Sequence, residues 1–134
     1  MSSPSDTADE PRDVWLSTSR PNGASHLVPI WFVLEDGVVW IATGFESVKV
    51  RNIAHDSRVQ LGFPRHGSIE EDAVIEGNAV VVRTAPEGVL TRFESKYNWR
   101  PGPEPDPDVG ALAFICVTPH RAVMGTLPNN NRTS

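Results

Sequence analysis

The chain has one cysteine, Cys116, so no intramolecular disulfide can staple the fold. It has no uninterrupted apolar run of the roughly 20 residues that a membrane-spanning helix needs. Its N-terminus, MSSPSDTADEPRD, is polar and acidic and lacks the apolar core of a signal peptide. Basic residues are in deficit: 12 Lys and Arg stand against 17 Asp and Glu, a formal net charge of -5. No overall field therefore draws the chain to nucleic acid or to an anionic membrane, and any bound anion must be held by a local cluster. These absences predict a cytoplasmic protein with neither nucleic-acid nor membrane partners. Cys116, inside the run ALAFICV, is expected to behave as a small buried hydrophobe. The glycosylation-like triplet Asn131-Arg132-Thr133 is a chance match in a polar tail.

Clusters that carry chemistry are equally scarce. His26, His55, His66 and His120 have no partner at the i, i+4 spacing and no cysteine neighbour, which argues against a metal site. There is no Gly-rich phosphate loop, no nucleophile elbow and no pair of carboxylates at helix spacing, and Glu70-Glu71 and Asp106 with Asp108 fall in loops. No side chain is therefore assigned a catalytic role. Trp15, Trp31 and Trp40 lie on strand-like runs without a basic stripe, so packing in the core or at an interface is expected rather than base stacking.

What the sequence does contain is a pattern of strands. With 134 residues the chain fits one domain. Residues 13–20 alternate, with Val14, Leu16 and Thr18 on one face, and Pro21-Asn22-Gly23 then turns the chain. The run 27–34 is apolar on both faces and holds Pro29, which leaves nearby backbone groups free. Glu35-Asp36-Gly37 turns into a strand over 38–43, and further strands are predicted over 58–63, over 73–83 with a bulge at Gly77, and over 111–117 continuing past Pro119. Thr84-Ala85-Pro86-Glu87 has the form of a capping box, and Leu90, Phe93 and Tyr97 continue at helical spacing to about Asn98. The four prolines of RPGPEPDPDVG make a loop. About six antiparallel strands and two short helices predict a mainly β fold closed as a small barrel. Residues 1–12 and 127–134 are expected to be disordered tails around a domain at 13–126.

One stretch stands out: TGFESVKVRNIAHDSRV, residues 43–59. Ser47 is placed to open a helix whose first-turn N–H groups and dipole favour an anion. Lys49 adds a charge, Thr43 a hydroxyl and Arg51 a second cation one turn on. Val50, Ile53 and Ala54 give the same helix an apolar face.

The segments STSRPNGASHLVPIWFVLEDGVVWIATGFESVKVRNIAHDSRVQLGF and VIEGNAVVV resemble the split β-barrel flavin-binding proteins related to pyridoxamine 5'-phosphate oxidase. Within them the likeness is to the branch that binds the deazaflavin coenzyme F420. Its most specific element is T-x-x-x-S-x-K followed by N-I and D-x-R-V, and it extends from Trp15 to Tyr97 and more weakly to the last strand. The resemblance implies a six-stranded antiparallel split β-barrel that forms a homodimer, with the cofactor at the subunit junction. It implies that Thr43, Ser47 and Lys49 hold the phosphate and that the ring lies along His26, Pro29, Ile30 and Trp31. His26 stands where the oxidases place an arginine for the flavin phosphate, and their substrate-phosphate residues have no counterpart near this C-terminus, which argues against the vitamin-oxidase reaction.

The function expected is an oxidoreductase in which reduced coenzyme F420 passes hydride to an electron-poor small molecule such as a quinone, enone or tetrapyrrole. FMN in the same groove is the alternative enzyme, and a non-catalytic carrier of flavin, deazaflavin or haem is a third reading. Lys49, Arg51 and Arg58, with His55, are expected to form a basic track for the polyanionic tail of the deazaflavin, and Trp99 with the Pro-rich loop to border the substrate opening.

Overall fold

The computed structural model describes residue 7 and residues 10–128. Six antiparallel strands close into a barrel in the order β1-β2-β3-β6-β5-β4, with β4 returning to β1. They are β1 (Asp13–Ser19), β2 (Ser25–Glu35), β3 (Val38–Gly44), β4 (Arg58–Phe63), β5 (Ala73–Val82) and β6 (Leu112–Met124). Helix α1 (Val48–His55) lies between β3 and β4, and α2 (Glu87–Tyr97) between β5 and β6. Among the described residues no helix is long and apolar enough to cross a membrane.

Strand parity builds the core. Val14, Leu16, Phe32, Leu34, Val39, Ile41, Leu61, Ile75, Ile115 and Val117 point inward and are buried, as period-2 alternation requires. The β2–β3 hairpin turns through Asp36 and Gly37, both at positive φ (53° and 77°), the Asp-Gly geometry that matches strand twist. The bulge expected at Gly77 is present as a register shift between Glu76 and Gly77. Glycine is required there because a Cβ would stand 2.6 Å from the Thr118 carbonyl oxygen of β6.

Helix α1 begins as expected at Ser47, whose Oγ accepts from the Val50 N–H at 3.4 Å. It lays Val50 and Ile53 into the barrel core, but Ala54 is exposed and Asn52 takes the third buried place. Helix α2 covers the outer side of β2, β3 and β6, packing Val89, Phe93 and Tyr97 on Val33, Ala42 and Phe114. This explains why the end of β2 is apolar on both faces: Phe32 and Leu34 fill the barrel while Val33 lies under α2. The expected capping box does not form. Pro86 is the N-cap with no side-chain bond, and the Glu87 carboxylate instead pairs with Arg100.

Two further expectations are corrected. Cys116 is only half-buried, because Ile115 and Val117 take the inward positions and turn its thiol outward between Trp40 and Val80. The N-terminal tail is ordered from at least Glu10, which is 5% exposed. Its Oε2 accepts from Arg92 Nη2 at 2.7 Å and from the Leu34 N–H at 3.4 Å, and its Oε1 accepts from Lys96 Nζ at 3.0 Å. Two cations one turn apart on α2 thus draw a carboxylate out of water, which a buried charge tolerates only with such partners. At the other end Leu127 packs against the barrel core and Pro128 is buried. The remaining tail positions, 1–6, 8–9 and 129–134, lie outside the described residues.

Candidate functional site

The barrel wall splits between β2 and β3. Strand β2 pairs with β3 only from Phe32 to Glu35, opposite Ile41 to Val38. Upstream of that, Ser25–Trp31 pair with β1 alone, and Ala42–Gly44 pair with β6 alone. The two strands therefore diverge, and each leaves one edge of backbone groups without a ladder partner. Pro29 belongs there, since a proline lacks the N–H that a central strand must donate.

A cavity of about 550 Å³ occupies this split. Pro29, Ile30 and Trp31 of β2 form one wall, Ala42 and Thr43 of β3 another, and Lys49 projects from α1. Trp99 and the loop residues Asp106, Asp108 and Val109 close the outer side, with Asp13 and Leu112 beside them. Six of the residues singled out from sequence, Pro29, Ile30, Trp31, Thr43, Lys49 and Trp99, thus line one cavity. The loop closes on itself: Asp106 and Gly110 exchange two backbone hydrogen bonds of 2.8 Å, and Asp106 Oδ1 accepts from the N–H groups of Asp108 and Val109. It lies so close to β3 that a Cβ on Gly44 would stand 2.9 Å from the Val109 carbonyl oxygen.

Lys49 shares the cavity with the carboxylates of Asp13, Asp106 and Asp108 but pairs with none of them. Lys49 is half-buried, burial lowers its pKa from the usual lysine range, and among the described residues it has no ion pair or hydrogen bond. An ammonium losing hydration without a paired counter-charge is the local requirement for an anion. His26, on the neighbouring stretch of β2, has a buried Nδ1 with no hydrogen-bond partner. Its pKa is lowered by burial first and then by the charges of Arg20 and Lys49, which favours the neutral ring. Arg20 was not singled out in the sequence, because its proximity to His26 comes from the β1–β2 hairpin closing between Arg20 and Ala24.

The other expected residues are placed differently. Ser47 Oγ accepts the capping bond of α1, and the residue does not line the cavity. Arg51 is exposed, and its Nη1 donates back to the Glu46 carbonyl at 2.7 Å. Arg58 lies on a second, polar cavity of about 480 Å³ on the outer face of the barrel, which it shares with His120, Ser17 and Asn78. There its Nε and Nη2 donate to both carboxylate oxygens of Asp56 at 3.1 and 2.9 Å, and these bonds hold the Asp56 carboxyl at about 2. The structure therefore does not bring Arg58 to Lys49. Asp13, Ala42 and Leu112 were missed, because each reaches the cavity only through strand pairing, Asp13 opposite Trp31 and Leu112 opposite Gly44.

The cleft thus combines a cation and a hydroxyl with two indoles, an unpaired strand edge and the carboxylates of Asp13, Asp106 and Asp108. A ligand that carries both a planar ring and an anionic group finds a partner for each in this lining.

The profile of the pyridoxamine 5'-phosphate oxidase family matches residues 6–124. Among solved structures, an F420 reductase superposes with a TM-score of 0.68 at 21% identity, over 86% of this chain and 91% of that one. A pyridoxamine 5'-phosphate oxidase-related, FMN-binding protein from Nostoc punctiforme gives 0.58 at 16% identity, over 81% of this chain and 70% of that one. General stress protein 26 from Bacillus anthracis gives 0.59 at 26% identity, over 81% and 79%. A comparison with curated proteins by sequence returned no match. The chain belongs to the pyridoxamine 5'-phosphate oxidase family and has the fold of its flavin-binding oxidoreductases.

Proposed function

We propose that this family member is an oxidoreductase that binds reduced coenzyme F420 in the split of the barrel and passes hydride to an electron-poor small molecule, a quinone, enone or tetrapyrrole. The observation that carries the reading is Lys49, a half-buried ammonium without a partner among the described residues, facing the same cavity as Trp31 and Trp99. In this reading Lys49 and Thr43 bind the phosphate, with Ser47 fixing the helix start behind them. Pro29, Ile30 and Trp31 receive the ring, and the free backbone edge of β2 bonds its polar rim. His26 and Arg51, with Arg20, flank the anionic end. Trp99 and the loop at 106–109 cover the ring and admit the acceptor. The cofactor supplies the hydride chemistry; the protein orients it and excludes water.

FMN is the second reading, and the Arg58–Asp56 pair favours it. With Arg58 engaged elsewhere, the basic track for a polyanionic tail shortens to Lys49 and Arg51 with His55, and FMN needs no such track. Absorption spectra of the purified protein, followed by titration with coenzyme F420 and with FMN, test the assignment. Tighter deazaflavin binding that weakens as salt rises supports the leading reading. Tighter FMN binding at every ionic strength replaces it, and binding of neither removes the cofactor assignment.

We also propose a homodimer in a reducing cytoplasm, where the half-exposed thiol of Cys116 stays free. An outward apolar stripe supports the dimer: Pro29, Trp15, Gly62, Val74 and Met124 are cross-strand neighbours in turn, and Trp15 and Met124 are 45% and 51% exposed. Pro29 is at once a member of this stripe and a wall of the cavity.

A further inference from the structure

Trp31 stands where β2 leaves β3, so no strand neighbour on that side fixes its indole. Trp99 meets it edge-on with centroids 6.0 Å apart, and the closer support comes from Tyr97 and Arg12. The Tyr97 ring stacks on Trp31 with centroids 4.2 Å apart and planes 7° from parallel. The Arg12 guanidinium lies 5.1 Å from the Trp31 centroid and 5.4 Å from that of Tyr97. Tyr97 is itself held by its hydroxyl, which donates to the Arg12 carbonyl at 2.5 Å and accepts from the Phe32 N–H at 2.9 Å. Two residues earlier, Glu10 is locked between Arg92 and Lys96, and Lys96 also donates to the Phe32 carbonyl at 2.8 Å. One residue after Arg12, Asp13 pairs with Trp31 and lines the cavity. Residues 10–13 therefore form a strap that runs from a buried ionic anchor on α2 to the wall of the cleft.

We propose that Tyr97 and the strap residues Glu10 and Arg12 are positioning residues for the ring end of the cofactor site: they hold the Trp31 indole in place, so that the aromatic wall is complete only when the N-terminal strap is docked. The inference rests on the cofactor reading above for its ligand, but the indole's position is measurable without one. None of these three residues lines the cavity, so each acts on a ligand through Trp31.

The test uses the full chain with two probes, lumiflavin, which has the ring alone, and FMN, which adds the phosphate. Tyr97→Leu removes the stack and is expected to weaken both probes by the same factor, about tenfold, the scale of an aromatic pair. Tyr97→Phe and Glu10→Gln keep the ring but release the strap, and a several-fold loss on both probes is expected. The ratio of FMN to lumiflavin affinity stays at the parent value in all three, because Lys49 sets it. Val117→Ala, which loosens the barrel core away from this wall, controls for general destabilisation and is expected to bind as the parent does. Parent-like binding in Tyr97→Leu, or an equal loss in Val117→Ala, overturns the proposal. The ligand-free readout is the near-ultraviolet circular dichroism of the stacked Trp31–Tyr97 pair, identified by its disappearance in Trp31→Leu. That signal is expected to fall in Glu10→Gln and Arg12→Ala. Its full retention in both overturns the role of the strap, even if the parent binds neither flavin and the cofactor reading fails.

Discussion

Asn52 Nδ2 donates to Thr18 Oγ1 across 3.0 Å, and both side chains are buried. The bond fixes the rotation of α1 about its axis against β1. With Asn52 turned inward, Lys49, one turn earlier, meets the cavity while Arg51, Ala54 and His55 are exposed. Removing the amide leaves a buried hydroxyl unpaired, so Asn52→Ala is expected to cost about 1–3 kcal/mol of stability in urea unfolding. It is also expected to weaken FMN binding by freeing the helix to turn. Parent-like affinity in a destabilised Asn52→Ala would show that α1 is oriented by Val50 and Ile53 alone.

Lys49→Ala separates the phosphate from the ring. FMN binding is expected to weaken by about 1.5–3 kcal/mol, the scale of a hydrogen bond to a charged group, with riboflavin binding unchanged. Isothermal titration of both ligands measures the difference. An equal loss on the two would place Lys49 against the ring instead.

Stability should depend on pH through Lys96. Burial, outweighing the attraction of Glu10, lowers its pKa from 10.5 to about 8. Between those values the unfolded chain binds more protons than the folded one, so unfolding free energy rises with pH across this window. Below pH 8 the cost of keeping the ammonium buried is fully present. Measured against Lys96→Met, the parent is expected to gain on the order of 3 kcal/mol in urea unfolding as pH is raised from 8 to 10.5. A difference between the two proteins that stays flat over that range would mean that Lys96 is solvated in solution.

The outer apolar stripe predicts self-association. Trp15→Glu puts a charge at its centre without touching the inward face of β1, and sedimentation velocity at micromolar concentration is expected to show a dimer for the parent and a monomer for the variant. A dimeric Trp15→Glu would place the interface on another face, and a monomeric parent that binds cofactor at full affinity would remove the shared site.

Local signals were legible and distant ones were not. The Ser47 cap depends on an N–H three residues away, and the Gly77 bulge and the Asp36-Gly37 turn depend on backbone geometry that few residues adopt, so each is written in its own neighbourhood. Parity explains the error at Cys116: the run ALAFICV is apolar at every position, and only pairing with Trp40 and Val80 decides which side faces out. Glu10 had no local signal at all, since its partners Arg92 and Lys96 are 82 and 86 residues away and the surrounding composition is that of a solvated tail. The cavity was half legible. Thr43 and Lys49 share one short motif, and Pro29 is conspicuous inside a strand, but Asp13 and Leu112 enter only when distant strands pair. The pairing of Arg58 with Asp56, two residues before it, went unread because both sit among other charges in the same short stretch.

The loop that closes on itself between Asp106 and Gly110 rests on Gly44, and its hydrogen bonds are its own. Such a segment behaves as a cassette. In the proposed oxidoreductase, residues 102–109 can be changed to suit a different acceptor while the ladders of β3 and β6 and the cation on α1 stay as they are. Exchanging this cassette is then the shortest route to altering the acceptor range of the proposed enzyme without disturbing the barrel.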